Sequence, residues 1–302
     1  MTEQRKPALD STAVLTLLAC SAVWGLGQVA AKVGLREFPP LLQAAVRSLG
    51  AALLLLAWSR WRGLPILRAD GTGGAGLLAG SLFAAEFACI FVGLQFTSAS
   101  RMAVFIYLAP FVVAAGMPLI ARSERLDALG VAGLLLAFGG VVWAFAEGFV
   151  RPAAGARQWL GDALGIGAAL TWGLTTLTVR ASRLATALPE KTLLYQLGVS
   201  AAALGLASLL RGEAWPPHPG LLPLAALAFQ TVVITFASYL AWFWLVRHYP
   251  ATRISVFALL TPVFGLGAGV LLLGEPLTTR LVAALAAVCA GILLVNRPPR
   301  VP

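Results

Sequence analysis

Long apolar runs broken by short polar interruptions dominate the 302-residue chain. Ten stretches of about 20 mainly apolar residues occupy positions 12–32, 39–58, 73–95, 98–121, 126–148, 160–180, 190–210, 221–246, 254–273 and 278–296. Each is long enough to cross roughly 30 Å of hydrocarbon as an α-helix. The runs are continuous, whereas the strands of a membrane barrel would alternate apolar and polar residues over about ten positions. The pattern therefore predicts an all-α integral membrane protein with ten transmembrane helices. The connections are too short for a soluble domain.

The second half repeats the first. Ser21-Ala22-Val23-Trp24-Gly25-Leu26, with Lys32 following, matches Ala169-Leu170-Thr171-Trp172-Gly173-Leu174 with Arg180. Further on, Ala99, Arg101, Val104, Phe105, Leu108 and Pro110 match Ala251, Arg253, Val256, Phe257, Leu260 and Pro262. Ser123-Glu124-Arg125-Leu126 then matches Gly274-Glu275-Pro276-Leu277. Three matches in one order at nearly constant spacing predict two repeats, residues 1–150 and 158–302. Five spans per repeat, an odd number, force the second copy to lie inverted in the membrane, an arrangement known in secondary transporters.

Composition and charge sharpen the picture. Hydrophobic residues make up 59% of the chain and charged residues 11%, against about 25% charged in soluble domains. Of the 22 Lys and Arg, seven fall on one side of the predicted topology (Lys32, Arg36, Arg101, Arg151, Arg157, Arg211 and Arg280), and Arg47 lies within a span. The other fourteen fall on the opposite side, which the positive-inside rule makes cytoplasmic. Both termini are thus expected in the cytoplasm. The net charge of +10 is explained by cations flanking the membrane and needs no nucleic-acid partner. Arg5 and Lys6 before the first run resemble the start of a signal peptide, but that run is too long and its Trp-Gly-Leu recurs at Trp172. Cys20, Cys89 and Cys289 each lie in an apolar span, without the spacing of a metal site or a disulfide framework.

Polar residues inside the spans carry the candidate chemistry. An ionisable group at mid-membrane costs roughly 2.5–3.5 kcal/mol on the insertion scale and needs a partner or a polar cavity. Arg47 lies about 12 Å below the end of the second span and Glu86 about 15 Å below that of the third, at 1.5 Å per residue. Their depths agree within a helical turn. Two readings stand for the pair: a transport path in which they meet the ends of a zwitterion or Glu86 carries a proton, and a structural ion pair locking two helices.

Gln28, Gln43, Phe83, Tyr107, Tyr195, Gln196, Gln230, Tyr239 and Trp242 are further candidates to line a cavity, with interhelical hydrogen bonding and interfacial belts as the alternatives. Trp24 and Trp172 rank above these, each mid-span beside a glycine. Pro110 and Pro262 each remove a backbone hydrogen bond from equivalent spans and predict kinks, mobile or static. Glu124, Arg125, Glu275 and Arg280 stand at loop ends as candidate helix caps and loop pairs. No Walker lysine follows a glycine-rich strand, and His218 and His248 fall in loops without a triad or metal constellation. An enzyme, a cofactor and a bound metal are not expected.

The Trp-Gly in the first span of each half, the Ala99–Pro110 and Ala251–Pro262 segments, and the following Glu124 and Gly274-Glu275-Pro276-Leu277 resemble the paired domains of EamA-type transporters of the drug/metabolite transporter (DMT) superfamily. The resemblance covers nearly the whole chain. It implies a ten-helix basket whose central cavity moves small metabolites by alternating access. Within that superfamily the chain is similar to aromatic amino acid exporters of the YddG type. The first repeat departs from the pattern at Ser123-Glu124-Arg125, which puts equal motion of the two loop ends in doubt.

The function expected is export of amino acids or related metabolites, aromatic and hydrophobic ones favoured, across a bacterial inner membrane. The substrate is then a small amino acid-like molecule, the surroundings are lipid, and the protein acts as a monomer without nucleic acid. The alternatives are a drug-efflux or uptake carrier of the same fold and a non-transporting intramembrane protein. Arg47 and Glu86 have no charged counterparts in the second half, so selectivity is expected where the symmetry is broken.

Overall fold

A computed structural model describes residues 10–120, 128–150, 155–248 and 260–295, and all regular structure among them is helical. Ser11–Gly34 forms α1, Pro40–Trp61 α2, Gly73–Gly93 α3, Ala99–Ile106 α4, Ala109–Ile120 α5 and Ala128–Val150 α6. Gln158–Arg180 forms α7 and Pro189–Leu210 α8, after a 3-10 turn at Arg183–Thr186. Leu221–Ala228 (α9), a π-helical segment Phe229–Ser238 and Tyr239–His248 (α10) run on as one rod, followed by Leu260–Leu273 (α11) and Thr279–Val295 (α12). Helical boundaries fall close to the ten apolar runs. Among the described residues, six spans are long and apolar enough to cross a membrane: Ser11–Gly34, Pro40–Trp61, Gly73–Gly93, Ala99–Ile120, Pro189–Leu210 and Leu221–Trp242.

Local chemistry explains the ends. Asp10 accepts from the Ala13 amide at 2.9 Å to cap α1, and Ser98 accepts from the Arg101 amide at 3.1 Å to cap α4, each satisfying an orphan donor of a first turn. Pro40 and Pro189 open α2 and α8 at a position whose N–H would have no partner anyway. The fourth span breaks at Tyr107-Leu108. There the chain tightens to three-residue bonds, Tyr107 N to Val104 O and Leu108 N to Phe105 O, and Pro110, which has no N–H, restarts the helix as α5. Pro262 sits near the start of α11. The residues that would reveal a matching break, together with Ala251, Arg253, Val256, Phe257, Glu124 and Arg125, lie outside the described residues.

The helices of the two halves pack mainly against each other, in a pattern that survives exchanging each span for the one five places along. The fifth span packs on the tenth, α6 on α12, and the second on the seventh, α2 on α8. The third packs on the sixth (α3 on α7), and correspondingly the eighth on the first. The first packs on the ninth, α1 on α11, and correspondingly the sixth packs on the fourth, α7 on α4 and α5.

The repeated glycines make the last two contacts close. A Cβ on Gly25 would stand 2.6 Å from Phe264 Cβ, and one on Gly173 would stand 2.6 Å from Val112 Cγ1. Small residues let helix backbones approach where lipid offers no hydrophobic drive. The Trp-Gly motif thus divides its labour, with glycine against the other half and tryptophan beside it.

Candidate substrate site between the two halves

Arg47 of α2 and Glu86 of α3 are both buried, 4% and 6% exposed. They are close enough to influence each other's charge, yet no hydrogen bond or ion pair joins them. Instead the guanidinium lies over the Phe87 ring, 3.7 Å from its centroid, and 5.4 Å from that of Phe91. Its Nε and Nη2 have no hydrogen-bond partner from the protein, and neither has Glu86 Oε2. A guanidinium stacked on an aromatic ring keeps its donating edge available for a planar anion.

A chain of aromatic residues from both halves leads to these charges. The Tyr239 hydroxyl of α10 lies within electrostatic reach of both Arg47 and Glu86, and its ring stands edge-on to Trp24 at 6.3 Å. Trp24 also meets Trp242 at 5.2 Å. Tyr107, also within electrostatic reach of Tyr239, occupies the break in the fourth span and packs perpendicular to Trp172 at 5.7 Å. Phe83 lies one turn from Phe87, at 4.6 Å. Trp24, Arg47, Phe83, Glu86, Tyr107, Trp172, Tyr239 and Trp242 are therefore linked in one interior cluster. Gln28 of α1 is half-buried with an unpartnered Oε1.

Other expected residues lie apart from this cluster. Gln43 donates to Ala31 O at 3.2 Å and ties α2 to α1. Gln230 donates to Ala30 O at 3.2 Å and to Ala226 O at 3.1 Å. Each keeps a buried Oε1 without a partner. Tyr195 shares a 3.2 Å hydrogen bond with Thr72 at the α3–α8 contact, and Gln196, half-buried, has no contact that draws it to the cluster. Nor do the expected residues line the cavity of about 610 Å³, which lies at another level, where α1 and α3 end and α7 begins. Lys32, Arg36, Arg101, Gln158 and Glu275 line that one.

Two ion pairs of buried cations depart from the sequence expectation, one beside that cavity and one at the start of α8. Arg101, counted as a loop cation, is 4% exposed and pairs at 2.6 Å with Asp162, which is fully buried. Lys191, counted likewise, is 5% exposed, pairs with Asp70 at 2.7 Å and donates to Arg68 O at 2.5 Å. Placing a cation by its position at the end of a run cannot show that a neighbouring helix covers it. The signal for Arg101 was an acid, Asp162, inside the sixth span.

Glu275 caps a helix, as its place at a loop end suggests, but a helix of the other half. It accepts from Ala99 N at 2.7 Å, Ser100 N at 2.8 Å and Ser100 Oγ at 2.6 Å, with Lys32 Nζ 3.5 Å away. Arg280 stands over Trp143, 5.8 Å from the ring centroid. The π-helical segment was also missed; its trace in the sequence is the five-residue spacing of two buried polar residues, Gln230 and Thr235.

Comparison with known proteins accords with this architecture. A probable amino-acid metabolite efflux pump of Escherichia coli is 26% identical over 272 residues, covering 88% of this chain and 88% of that protein. The uncharacterized transporter YvbV of Bacillus subtilis is 28% identical over 297 residues, 95% of this chain and 93% of that one. A solved crystal structure superposes with a TM-score of 0.65 at 20% identity, covering 95% of this chain and 96% of its own, and so shares the fold. The model of the EamA-like transporter family matches twice, over residues 11–146 and 159–297. With two family matches spanning nearly all of its helices, the chain belongs to the EamA-like transporter family and is a multi-pass membrane transporter of small molecules, not an enzyme.

Proposed function

We propose that this transporter exports amino acids, or metabolites with the same zwitterionic end, from the bacterial cytoplasm across the inner membrane by alternating access. Its moving parts are two inverted five-helix repeats, residues 1–150 and 158–302, with both termini cytoplasmic. Support for the repeats comes from the exchangeable packing pattern and the twofold family match. The orientation rests on the fourteen-to-seven bias of loop cations, which holds when Arg101 and Lys191, one from each side, are set aside as buried. Amino acids are favoured by the likeness to the E. coli protein, a probable amino-acid metabolite efflux pump.

The observation that carries the substrate class is the unjoined pair Arg47 and Glu86. Burying a guanidinium and a carboxyl group without letting them meet forfeits the pairing that normally offsets the desolvation of such groups, several kcal/mol per ion. A ligand carrying a carboxylate and an ammonium a few bonds apart supplies both missing partners. Arg47 takes the carboxylate at its free edge, and Glu86 takes the ammonium.

Binding of L-tryptophan, tryptamine and indole-3-propionate to the purified protein, measured by calorimetry, tests this. A hydrogen bond to a charged group is worth about 1.5–3 kcal/mol, so removing either charged end weakens binding roughly 10- to 100-fold. Tryptamine binding as tightly as tryptophan removes Arg47 from recognition, and equal binding of indole-3-propionate removes Glu86.

A further inference from the structure

The third span of the first half, α3, is a regular α-helix from Gly73 to Gly93 and carries Glu86. Its counterpart in the second half is interrupted by ten consecutive π-helical residues, Phe229–Ser238. π-helix is rare, normally occurs as single-turn bulges and is frequent at functional sites. A stretch of this length turns the following α10, with Tyr239 and Trp242, to an azimuth that an uninterrupted α-helix would not give.

The segment is strapped to α1 at both ends. At its start Gln230 Nε2 donates to Ala30 O at 3.2 Å. At its end Ser238 Oγ donates to Ile234 O and accepts from Trp24 Nε1 at 2.7 Å, while Cys20 Sγ reaches Ser238 O at 3.8 Å. The tie to Ser238 occupies the single donor of the Trp24 indole. What Trp24 offers the interior is therefore carbon, held edge-on between Tyr239 and Trp242.

We propose that this strapped π-helical segment is the specificity element of the transporter: Ser238 positions Trp24, and Trp24, Tyr239 and Trp242 form an apolar wall that selects substrates with aromatic or bulky apolar side chains. The inference rests on the reading of Arg47 and Glu86 given above. Tyr239 joins the two regions, within electrostatic reach of the charged pair and edge-on to Trp24. A zwitterion held by Arg47 and Glu86 directs its side chain along Tyr239 into the wall. Small side chains leave the wall unfilled, and charged ones would be desolvated against it.

The test is the ratio of KM for L-tryptophan to KM for L-alanine, measured by transport in proteoliposomes. Aromatic contacts of this geometry contribute about 0.5–1.5 kcal/mol, so Ser238→Ala, which frees Trp24, raises the tryptophan KM about twofold to tenfold. The alanine KM stays within twofold, and Ser238→Thr, which keeps the hydroxyl, restores the ratio. Trp24→Phe, which keeps a ring but deletes the tied N–H, reproduces the Ser238→Ala result and serves if that variant folds poorly. KM values that rise together for both substrates, or an unchanged ratio in Ser238→Ala and Trp24→Phe, overturn the specificity role while leaving the amino acid reading intact. Wild-type protein that carries neither amino acid overturns both.

Discussion

Replacing Asp162 by Ala removes the counter-charge of a cation that cannot leave its site. Arg101 Nε lies 3.1 Å from both carboxylate oxygens, Arg101 Nη2 lies 2.6 Å from Oδ2, and Thr97 Oγ1 donates to Oδ1 at 2.5 Å. Arg101 Nη2 also donates to Ala144 O at 2.5 Å, so the cluster joins α4, α6 and α7 to the end of α3. Breaking a buried pair from one side costs about 3–5 kcal/mol, because the surviving charge stays buried. At about 1.4 kcal/mol per tenfold, the folded-to-unfolded ratio falls roughly a hundred- to several-thousand-fold.

Removing both charges avoids that penalty. Arg101→Met combined with Asp162→Ala is expected to lose less stability than the two single variants added together, with a coupling energy of about 2–3 kcal/mol in a double-mutant cycle. The assay is equilibrium unfolding in mixed detergent micelles, followed by tryptophan fluorescence. If the double variant loses as much stability as the two single variants added together, the pair is not coupled and the reasoning fails.

Three further outcomes follow from the geometry. Glu275→Gln keeps the shape but removes the charge from the α4 N-terminus and one of the acceptors used by Ala99 and Ser100, lowering stability by about 1–2 kcal/mol; hydrogen exchange at those amides accelerates, and unchanged exchange would show that Glu275 is not their cap. Asp70, in the α2–α3 loop, has its carboxyl drawn down to about 2 from 3.8, first by the hydrogen bond from Lys191 and then by Thr72. Because its folded pKa is depressed, the contribution of this clasp is complete above about pH 4 and disappears as pH falls toward 2. Unfolding midpoints measured across that window shift less in Lys191→Met than in wild type, and parallel curves would refute the clasp. Gly25→Val forces α1 away from α11, where a Cβ already meets Gly265 N at 2.7 Å, and lowers the yield of folded protein in size-exclusion chromatography far more than Gly139→Val, where an added Cβ meets nothing; equal yields would contradict close packing at Gly25.

The spans were legible because a helix crossing lipid must bury its own polar backbone in a run of apolar side chains, and that run is visible from Ser11–Gly34 through Thr279–Val295. The depth argument put Arg47 and Glu86 at one level, and the structure brings them within electrostatic reach. That they stay apart, with Arg47 stacked on Phe87, depends on helix rotation, which a long apolar run specifies weakly. The same weakness left open which carbonyls Gln43 and Gln230 meet, since a glutamine facing a cavity and one donating to a neighbour's carbonyl look alike in sequence. Pro110 signalled the break at Tyr107-Leu108, whereas the π-helical segment contains no proline or glycine to announce it. Glu275 was read at its loop end, but that its partner is α4 follows only from how the halves pack.

Passage of a zwitterion between the halves on Arg47 and Glu86 is read out by efflux of labelled L-phenylalanine from proteoliposomes of wild-type protein and the Arg47→Leu variant. Wild-type efflux is expected well above that of protein-free vesicles, with at least a tenfold loss for a folded Arg47→Leu protein. Efflux no faster than from empty vesicles, or an Arg47→Leu rate equal to wild type, would contradict it.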